Sequence, residues 1–306
     1  MNTSSQTLFQ QDKVESFYNW INERHKIYQK RLQGYPAPWT NDPILQKYKF
    51  TNPFRENDRV TIWMRDNWTK PNDNRSAGEI LFNCCLFRMI GTIEFAEEHG
   101  WVHDKWNPEK TKKIIEDRLA KKQRTFTGAY IITNQGISAP KKDVVVDEFL
   151  VPIWKDKEII AEKTKLNKSL QKTHEKLGEY KGWGGGGFMA YEVVSDLNYT
   201  SVLNTATDRY TWANAGPGAI RGINRIEGAT LKRSMKPEIS NEKMQKILNL
   251  KYVYTAEHIE VNSVDMRTIE HSLCEWDKYE RVRLNQGRPR SKFSWSHNKI
   301  NSGGVK

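Results

Sequence analysis

The spacing of apolar residues is the feature that most constrains the fold of this chain. Between Val14 and Tyr28 the apolar side chains recur at helical spacing, with Lys, Arg and Glu between them, which is typical of an amphipathic α-helix. Similar segments follow along the chain, whereas strand-like alternation is limited to Gly128–Thr133 and Val144–Val146. The pattern therefore predicts a mainly α fold with a few short strands.

Capping residues indicate where several helices begin. Asn52-Pro53 and Asn107-Pro108 each join a good helix cap to a proline, which suits the first helical position. We expect the first of these helices to run towards Trp68. Ser76 is predicted to cap a segment that is apolar on almost all sides until Gly100. Because such a helix has no polar face, it is predicted to be the central buried helix.

Charge and hydropathy limit the classes of function. The 306 residues include 49 Lys and Arg against 37 Asp and Glu, so the formal net charge is +12 and nucleic acid is the first partner to test. No apolar run approaches the ~18 residues that a membrane span needs. The first eleven residues lack the pattern of a secretory signal. We therefore expect a cytoplasmic protein with no membrane partner.

Several well-known motifs are absent from the sequence. It contains no P-loop, no Gly-x-Gly-x-x-Gly, no Cys-x-x-Cys and no His-Glu-x-x-His, and Gly100 separates His99 from His103. We accordingly predict no metal and no cofactor. The glycines at 184–187 could form an anion nest, although a flexible joint is the favoured interpretation.

Changes in composition suggest four regions. Residues 1–150 are predicted to be an N-terminal helical region, and 151–187 a Lys/Glu-rich helical insertion or linker. Residues 188–290 would form a second helical region, and 291–306 a basic flexible tail.

Two pairs of carboxylates are candidate catalytic groups. Glu192 and Asp196 lie four residues apart in the predicted helix Phe188–Leu197, so both face one side beside aromatic residues. Such a pair can accept a proton from an incoming nucleophile, although the spacing alone favours a capping or surface role. Glu275 and Asp277, in the helix predicted to start near Ser263, are the alternates.

The segment around Gly216 and Gly218 suggests contact with DNA. A Gly-x-Gly corner between two short helices is the hairpin of helix-hairpin-helix DNA binders, in which backbone N–H groups meet a phosphate. Arg221 and Arg225 follow one turn apart and project from one helix face. A loop between packed helices, with incidental arginines, is an equally weighted interpretation.

Further polar clusters are candidate phosphate ligands. Arg55 and Arg59 are expected one helical turn apart, so they could hold a phosphate together or form surface ion pairs. The remaining candidates are Asn52 and Asp58 beside them, and Lys278 and Arg281 in the last helix.

Five segments in order resemble the alpha-glutamyl/putrescinyl thymine pyrophosphorylases, the amino acid:DNA transferases of phage-type thymine hypermodification. They are Tyr48–Arg59, Thr127–Asn134, Phe188–Leu197, Trp212–Gly222 and Glu270–Arg281. The resemblance implies a fold similar to helix-hairpin-helix DNA glycosylases. It also implies replacement of the (pyro)phosphate on 5-hydroxymethyluracil in DNA by an amine from an amino acid or putrescine. A related helical domain accompanies 5-hydroxymethyluracil DNA kinases.

These two lines of reasoning give a combined mechanistic hypothesis. Double-stranded DNA with modified thymine is bound through phosphates, the base flips out, and Arg55 and Arg59 stabilise the leaving phosphate. Asp196 or Glu192 accepts the proton of the amine co-substrate. A DNA-base kinase of the same pathway is a further expected partner. The alternatives are a kinase-related helical component, a base-flipping glycosylase, and a non-enzymatic DNA-binding protein.

Overall fold

The computed structural model describes residues 9–289 and 291–293, and these are predominantly helical. The α-helices of this part of the chain are α1 (Gln11–Leu32), α2 (Pro43–Lys47), α3 (Arg59–Trp63), α4 (Ala77–Ile90), α5 (Ile93–His99), α6 (Pro108–Ala120), α7 (Lys141–Asp143), α8 (Val151–Asn167), α9 (Leu170–Gly178), α10 (Phe188–Leu197), α11 (Pro217–Ile226), α12 (Pro237–Asn249), α13 (Lys251–Tyr254) and α14 (Met266–Arg283). None of the described helices is long and apolar enough to cross a membrane.

Other helical types extend some of these elements. The 3₁₀ turns are Arg55–Asn57, Lys70–Asn72 and Val261–Ser263, and the π-helical segments are Met64–Thr69 and Val144–Leu150. The second π segment connects α7 directly to α8, which carries Pro152 in its first turn. Because proline lacks an N–H and its ring crowds the preceding turn, a wider turn before it keeps the helix continuous.

The chain forms two compact units. Unit 1 consists of Met1–Arg55 and Ala215–Lys306, and unit 2 consists of Glu56–Asn214. The boundaries expected at 150/151 and 187/188 both fall inside unit 2. Residues 291–293, which the sequence placed in a flexible tail, hydrogen-bond to residues 47–49, and the rest of that predicted tail lies outside the described residues.

Unit 1 is organised around α14, which packs against α11, α1 and α12. Two glycines allow α11 to approach α14 closely. A Cβ at Gly218 would overlap the Cys274 Sγ, and a Cβ at Gly222 would lie 2.6 Å from the Leu273 carbonyl oxygen. Gly218 is therefore needed for the packing of two helices, since any larger side chain would push them apart.

Unit 2 is organised around α4, which packs against α8 and α10. Every residue of α4 from Gly78 to Ile90 is buried, and the Ser76 hydroxyl accepts the Glu79 N–H at 3.1 Å, so the predicted central helix and its cap are confirmed. Its predicted end is wrong, because Gly91 adopts a left-handed conformation with φ of 76° and ends the helix nine residues before Gly100.

The predicted mainly α fold is confirmed, whereas the predicted strands are wrong. In the described residues the only β-type pairing is an isolated bridge between Tyr48 and Lys292. Val144–Val146 opens a π-helical segment in which all three valines are buried, so packing overrides their β preference. Gly128–Thr133 lies in a loop without regular structure.

The helix predicted to begin after Asn52-Pro53 also begins elsewhere. Asn52 and Pro53 are not helical, a 3₁₀ turn covers Arg55–Asn57, and α3 starts only at Arg59 with Asp58 as its N-cap residue. Arg55 and Arg59 are therefore not on successive turns of one α-helix, contrary to the sequence prediction.

Candidate functional site

The first cluster of predicted site residues lies in unit 2, where α10 carries Glu192 and Asp196 on one face. Between them and α4 lies Arg88, whose side chain is only 3% exposed. The Arg88 Nη2 donates to Asp196 Oδ1 at 2.5 Å, its Nε donates to Asp196 Oδ2, and its Nη1 lies 3.2 Å from Glu192 Oε2. We call Arg88, Glu192 and Asp196 the closed cluster.

The electrostatics of the closed cluster keep its arginine charged. Burial disfavours the charged guanidinium, but the attraction of Asp196 and Glu192 outweighs this and raises the pKa of Arg88 above its ordinary value. The Tyr130 hydroxyl donates to the Arg88 carbonyl oxygen at 2.7 Å, and burial raises the Tyr130 pKa to about 12. Both Asp196 oxygens are bonded to one guanidinium, so this carboxylate is poorly suited to accept a proton from a substrate.

The second cluster lies in unit 1 and surrounds Asp277 of α14, which is fully buried. The Arg221 Nε lies 2.8 Å from Asp277 Oδ2, the Arg225 Nε lies 2.9 Å from Oδ1, and the Arg281 Nε lies 3.4 Å from Oδ2. We call these four residues the open cluster. Three cations share one carboxylate, so its formal charge is 3 − 1 = +2.

The open cluster leaves donor groups available for an anion. Arg225 also bonds to Gln286 through Nη2 at 2.8 Å and is buried. Arg221 and Arg281 have side chains that are 35% and 36% exposed. The Arg221 Nε donates to Asp277, whereas the Arg281 Nε lies 3.4 Å from the same carboxylate without a hydrogen bond. The Nη nitrogens of both arginines make no hydrogen bond within the part of the chain that the structure describes. A guanidinium fork held in this way matches the oxygens of a phosphate.

Glu275 and Lys278, predicted as a catalytic and a phosphate-binding residue, neutralise each other. The Lys278 ammonium lies 2.8 Å from Glu275 Oε1 and 2.7 Å from Oε2, and it stands 4.8 Å from the centre of the Phe50 ring. The Thr51 N–H also donates to Glu275 Oε2 at 2.9 Å. Both groups therefore help to join the segment around residue 50 to α14.

The polar residues predicted near position 55 do not form a cluster on one helix. Asn52 is buried, Arg55 is half-buried in its 3₁₀ turn, Asp58 precedes α3, and Arg59 is exposed at its first position. Asn52 and Arg55 belong to unit 1, whereas Asp58 and Arg59 belong to unit 2.

Gly216 and Gly218 differ from the short hairpin that was predicted. Residues 198–216, between α10 and α11, contain no helix, and Gly218 already lies within α11. The Gly216 N–H donates to Glu270 Oε1 at 3.4 Å, and Gly218 faces Cys274. Two of the nearby arginines of the open cluster, Arg221 and Arg281, have partly exposed side chains.

Sequence reasoning missed Arg88, which completes the closed cluster. A single arginine in the otherwise uncharged stretch Ile80–Ile90 was a usable signal, because a buried cation requires an acidic partner. Its partner lies 108 residues away in the sequence, so spacing within one helix could not identify it.

Comparison with known proteins identifies the family of this chain. Residues 11–288 match the family described as "5-hmdU DNA kinase, helical domain". The chain belongs to this family. A "5-hmdU DNA kinase" of Bacillus phage SP10 is similar to it, with 25% identity over 291 residues that cover 86% of this chain and 44% of the phage protein. The chain thus spans less than half the length of that relative. No solved structure matches this member of the helical-domain family.

The comparisons bear on the resemblance found in the sequence. The relation to the helical domain of 5-hydroxymethyluracil DNA kinases is confirmed. Membership of the pyrophosphorylase family stays a prediction.

Proposed function

We propose that this helical chain binds DNA that carries 5-hydroxymethyluracil and takes part in modifying that base. The single observation that carries the proposal is the open cluster, which presents the Nη groups of Arg221 and Arg281 at the surface of unit 1. The family match supports the choice of DNA as the polyanion, and the net charge of +12 supports it independently. In this proposal Arg221 and Arg281 bind one backbone phosphate, and Asp277 positions them.

The chemical step that we propose is the replacement of a phosphate or pyrophosphate on the base by an amine. The amine nitrogen forms a bond to the 5-methylene carbon, the bond from that carbon to the ester oxygen breaks, and the phosphate leaves with the bonding electrons. The nitrogen loses one proton to a base. An amino acid or putrescine supplies the amine.

One carboxylate is the preferred base in this proposal. Asp196, Glu275 and Asp277 each hold cationic groups with both carboxylate oxygens, which lowers their availability for proton transfer. We assign proton acceptance to Glu192, one of the two acids of α10 for which the sequence predicts this role. Arg59, which lies in the same unit as Glu192, keeps its proposed role in stabilising the departing phosphate, whereas Arg55 belongs to unit 1 and is left out of this step.

Nucleoside mass spectrometry tests the proposal directly. Duplex DNA with pyrophosphorylated 5-hydroxymethyluracil is incubated with the purified chain and a mixture of amino acids and putrescine. We expect a new amine-bearing nucleoside, which also identifies the nucleophile. Loss of the base would instead indicate a glycosylase, and an unchanged nucleoside with DNA still bound would exclude amine transfer by this chain alone.

A second candidate function is a DNA-holding component of a base kinase. It is favoured by the match of the chain to 44% of a phage 5-hmdU DNA kinase. The test adds the part of that relative that this chain does not match, together with ATP and DNA containing unphosphorylated 5-hydroxymethyluracil. A phosphorylated base that forms only when both proteins are present supports this role, whereas an unchanged kinase rate contradicts it.

A further inference from the structure

A loop of unit 2 remains unexplained by the clusters described above. It comprises residues 126–140, between α6 and α7, and includes the segment Thr127–Asn134 that the sequence singled out. Its two ends lie close together, since the Lys141 ammonium stands 4.4 Å from the centre of the Phe126 ring. A surface loop with closely spaced ends is a frequent location for function.

The 126–140 loop is fixed to the core of unit 2 at several points. The Thr127 N–H donates to the Ile90 carbonyl oxygen at 2.9 Å, and the Tyr130 hydroxyl donates to the Arg88 carbonyl oxygen at 2.7 Å. Further along, the Gly182 N–H donates to Gln135 Oε1 at 3.2 Å. A Cβ at Gly91 would lie 2.8 Å from atoms of both Thr127 and Tyr130, so the loop rests directly on the end of α4.

These anchors hold one apolar side chain out towards solvent. Tyr130 packs its ring against Phe188 at 5.3 Å, and Ile132 is only 6% exposed, whereas Ile131 between them is 78% exposed. The ring contact of half-buried Tyr130 and the burial of Ile132 fix the backbone on both sides of Ile131, whose side chain points to solvent. An exposed isoleucine on an anchored loop has a defined position and little freedom to turn inward.

Positive charge surrounds the base of the same loop. Lys121, Lys122 and Arg124 are exposed just before it, and none of them forms an ion pair among the described residues. The Arg124 Nη2 lies 3.9 Å from where a Cβ of Gly128 would stand, which places that guanidinium beside the loop. An apolar tip next to unpaired cations is complementary to duplex DNA, whose phosphates flank an apolar base stack.

We propose that Ile131 is a wedge that enters the base stack of duplex DNA and unstacks the modified base. This inference rests on the proposed DNA binding and adds the residue that distorts the duplex. Apolar side chains inserted between base steps unstack and kink DNA, and an enzyme that modifies a base needs that base out of the stack. Lys121, Lys122 and Arg124 would hold the phosphates on either side of the insertion.

Fluorescence of 2-aminopurine tests the wedge. The analogue is placed next to 5-hydroxymethyluracil in a duplex, and its emission rises when it loses its stacking partner. We expect the wild-type chain to raise the emission several-fold, and Ile131→Ala to lose most of that rise while the Kd for the duplex changes less than about threefold. Ile131→Leu should keep the rise.

Leu166→Ala is the matched control, because Leu166 is 82% exposed on α8 but lies outside the loop. It should behave as wild type. If Ile131→Ala binds the duplex and raises the emission as wild type does, the wedge is excluded while DNA binding stands. If the wild-type chain does not bind the duplex, the proposed function fails and the wedge fails with it.

Discussion

The closed cluster and the open cluster both combine arginine with carboxylate side chains, but they differ in the ratio of these groups and in their exposure to solvent. In unit 2 one arginine serves two carboxylates and is almost fully buried, whereas in unit 1 three arginines serve one buried carboxylate and two of them reach solvent. The ratio of charges, rather than the presence of an ion pair, separates them. A carboxylate near arginine on a helix can therefore be a structural group or the positioning group of an anion site.

The difference has an energetic basis. A buried ion pair gains little over an apolar pair of similar volume, but removal of one partner leaves a charge that water cannot reach. The closed cluster has no spare donors at the surface, so its loss should affect stability first. The open cluster keeps Nη donors in contact with water, and its loss should affect anion binding first.

The largest expected effect follows removal of the cation of the closed cluster. Arg88→Met leaves Asp196 and Glu192 buried without a counter-charge, and we expect a loss of about 3–5 kcal/mol in the free energy of unfolding. Urea unfolding followed by circular dichroism measures it. Arg75→Met is the control, because Arg75 is half-exposed and 4.0 Å from its acidic neighbour Glu79.

Replacement of the whole closed cluster sharpens this prediction. Because well-packed apolar residues can substitute for a buried ion triad, Arg88→Met with Glu192→Met and Asp196→Leu should recover most of the stability that Arg88→Met loses. An Arg88→Met protein that unfolds at the same urea concentration as Arg75→Met would show that the cluster is not closed to water.

The next largest effect concerns DNA affinity and the open cluster. Arg221→Ala with Arg281→Ala removes both exposed forks, and we expect a loss of about 100-fold in affinity for duplex DNA at low salt. If both side chains bind one phosphate, the slope of log K against log salt should fall by about 0.9 rather than by twice that amount. Titrations by fluorescence anisotropy at several salt concentrations give both values.

The matched control for charge is Lys232→Ala with Lys246→Ala, since both lysines are exposed in unit 1 and the net charge falls equally. Equal losses of affinity in the two double variants would mean that the open cluster contributes only its charge and is not a phosphate site.

The comparison also shows what the sequence could predict. Helical spacing placed Glu192 with Asp196 and Arg221 with Arg225 on shared faces, and the mainly α fold followed from the same periodicity. Helical spacing could not predict that Arg88 pairs with Asp196, because the two residues meet only through the packing of α4 on α10. The sequence also predicted a strand at Val144–Val146, because a run of three β-branched residues is too short to distinguish helical from strand periodicity.

A smaller effect separates the packing role of Gly218 from the predicted phosphate contact. Gly218→Ala forces its Cβ against the Cys274 Sγ, and we expect a loss of about 1–3 kcal/mol in unfolding free energy. Adding Cys274→Ala removes that sulfur and should restore much of the stability, as well as wild-type DNA affinity. A double variant that is stable but binds DNA poorly would indicate that Gly218 contacts DNA, as the sequence predicted.

The smallest expected effect tests whether Arg221 binds as a fork or as a point charge. Arg221→Lys keeps the charge near Asp277 but replaces the planar donors by a single ammonium, so we expect an unchanged salt slope and a loss of about tenfold or less in DNA affinity.

Arg225→Lys is not an equivalent control, because Arg225 is buried and bonded to Gln286. The informative control is Arg283→Lys on α14, where the guanidinium already bonds twice to Glu280 and should add nothing to DNA binding. If Arg221→Lys binds DNA as tightly as wild type, the planar geometry of the fork is irrelevant. The open cluster then differs from the closed one only in its excess of charge.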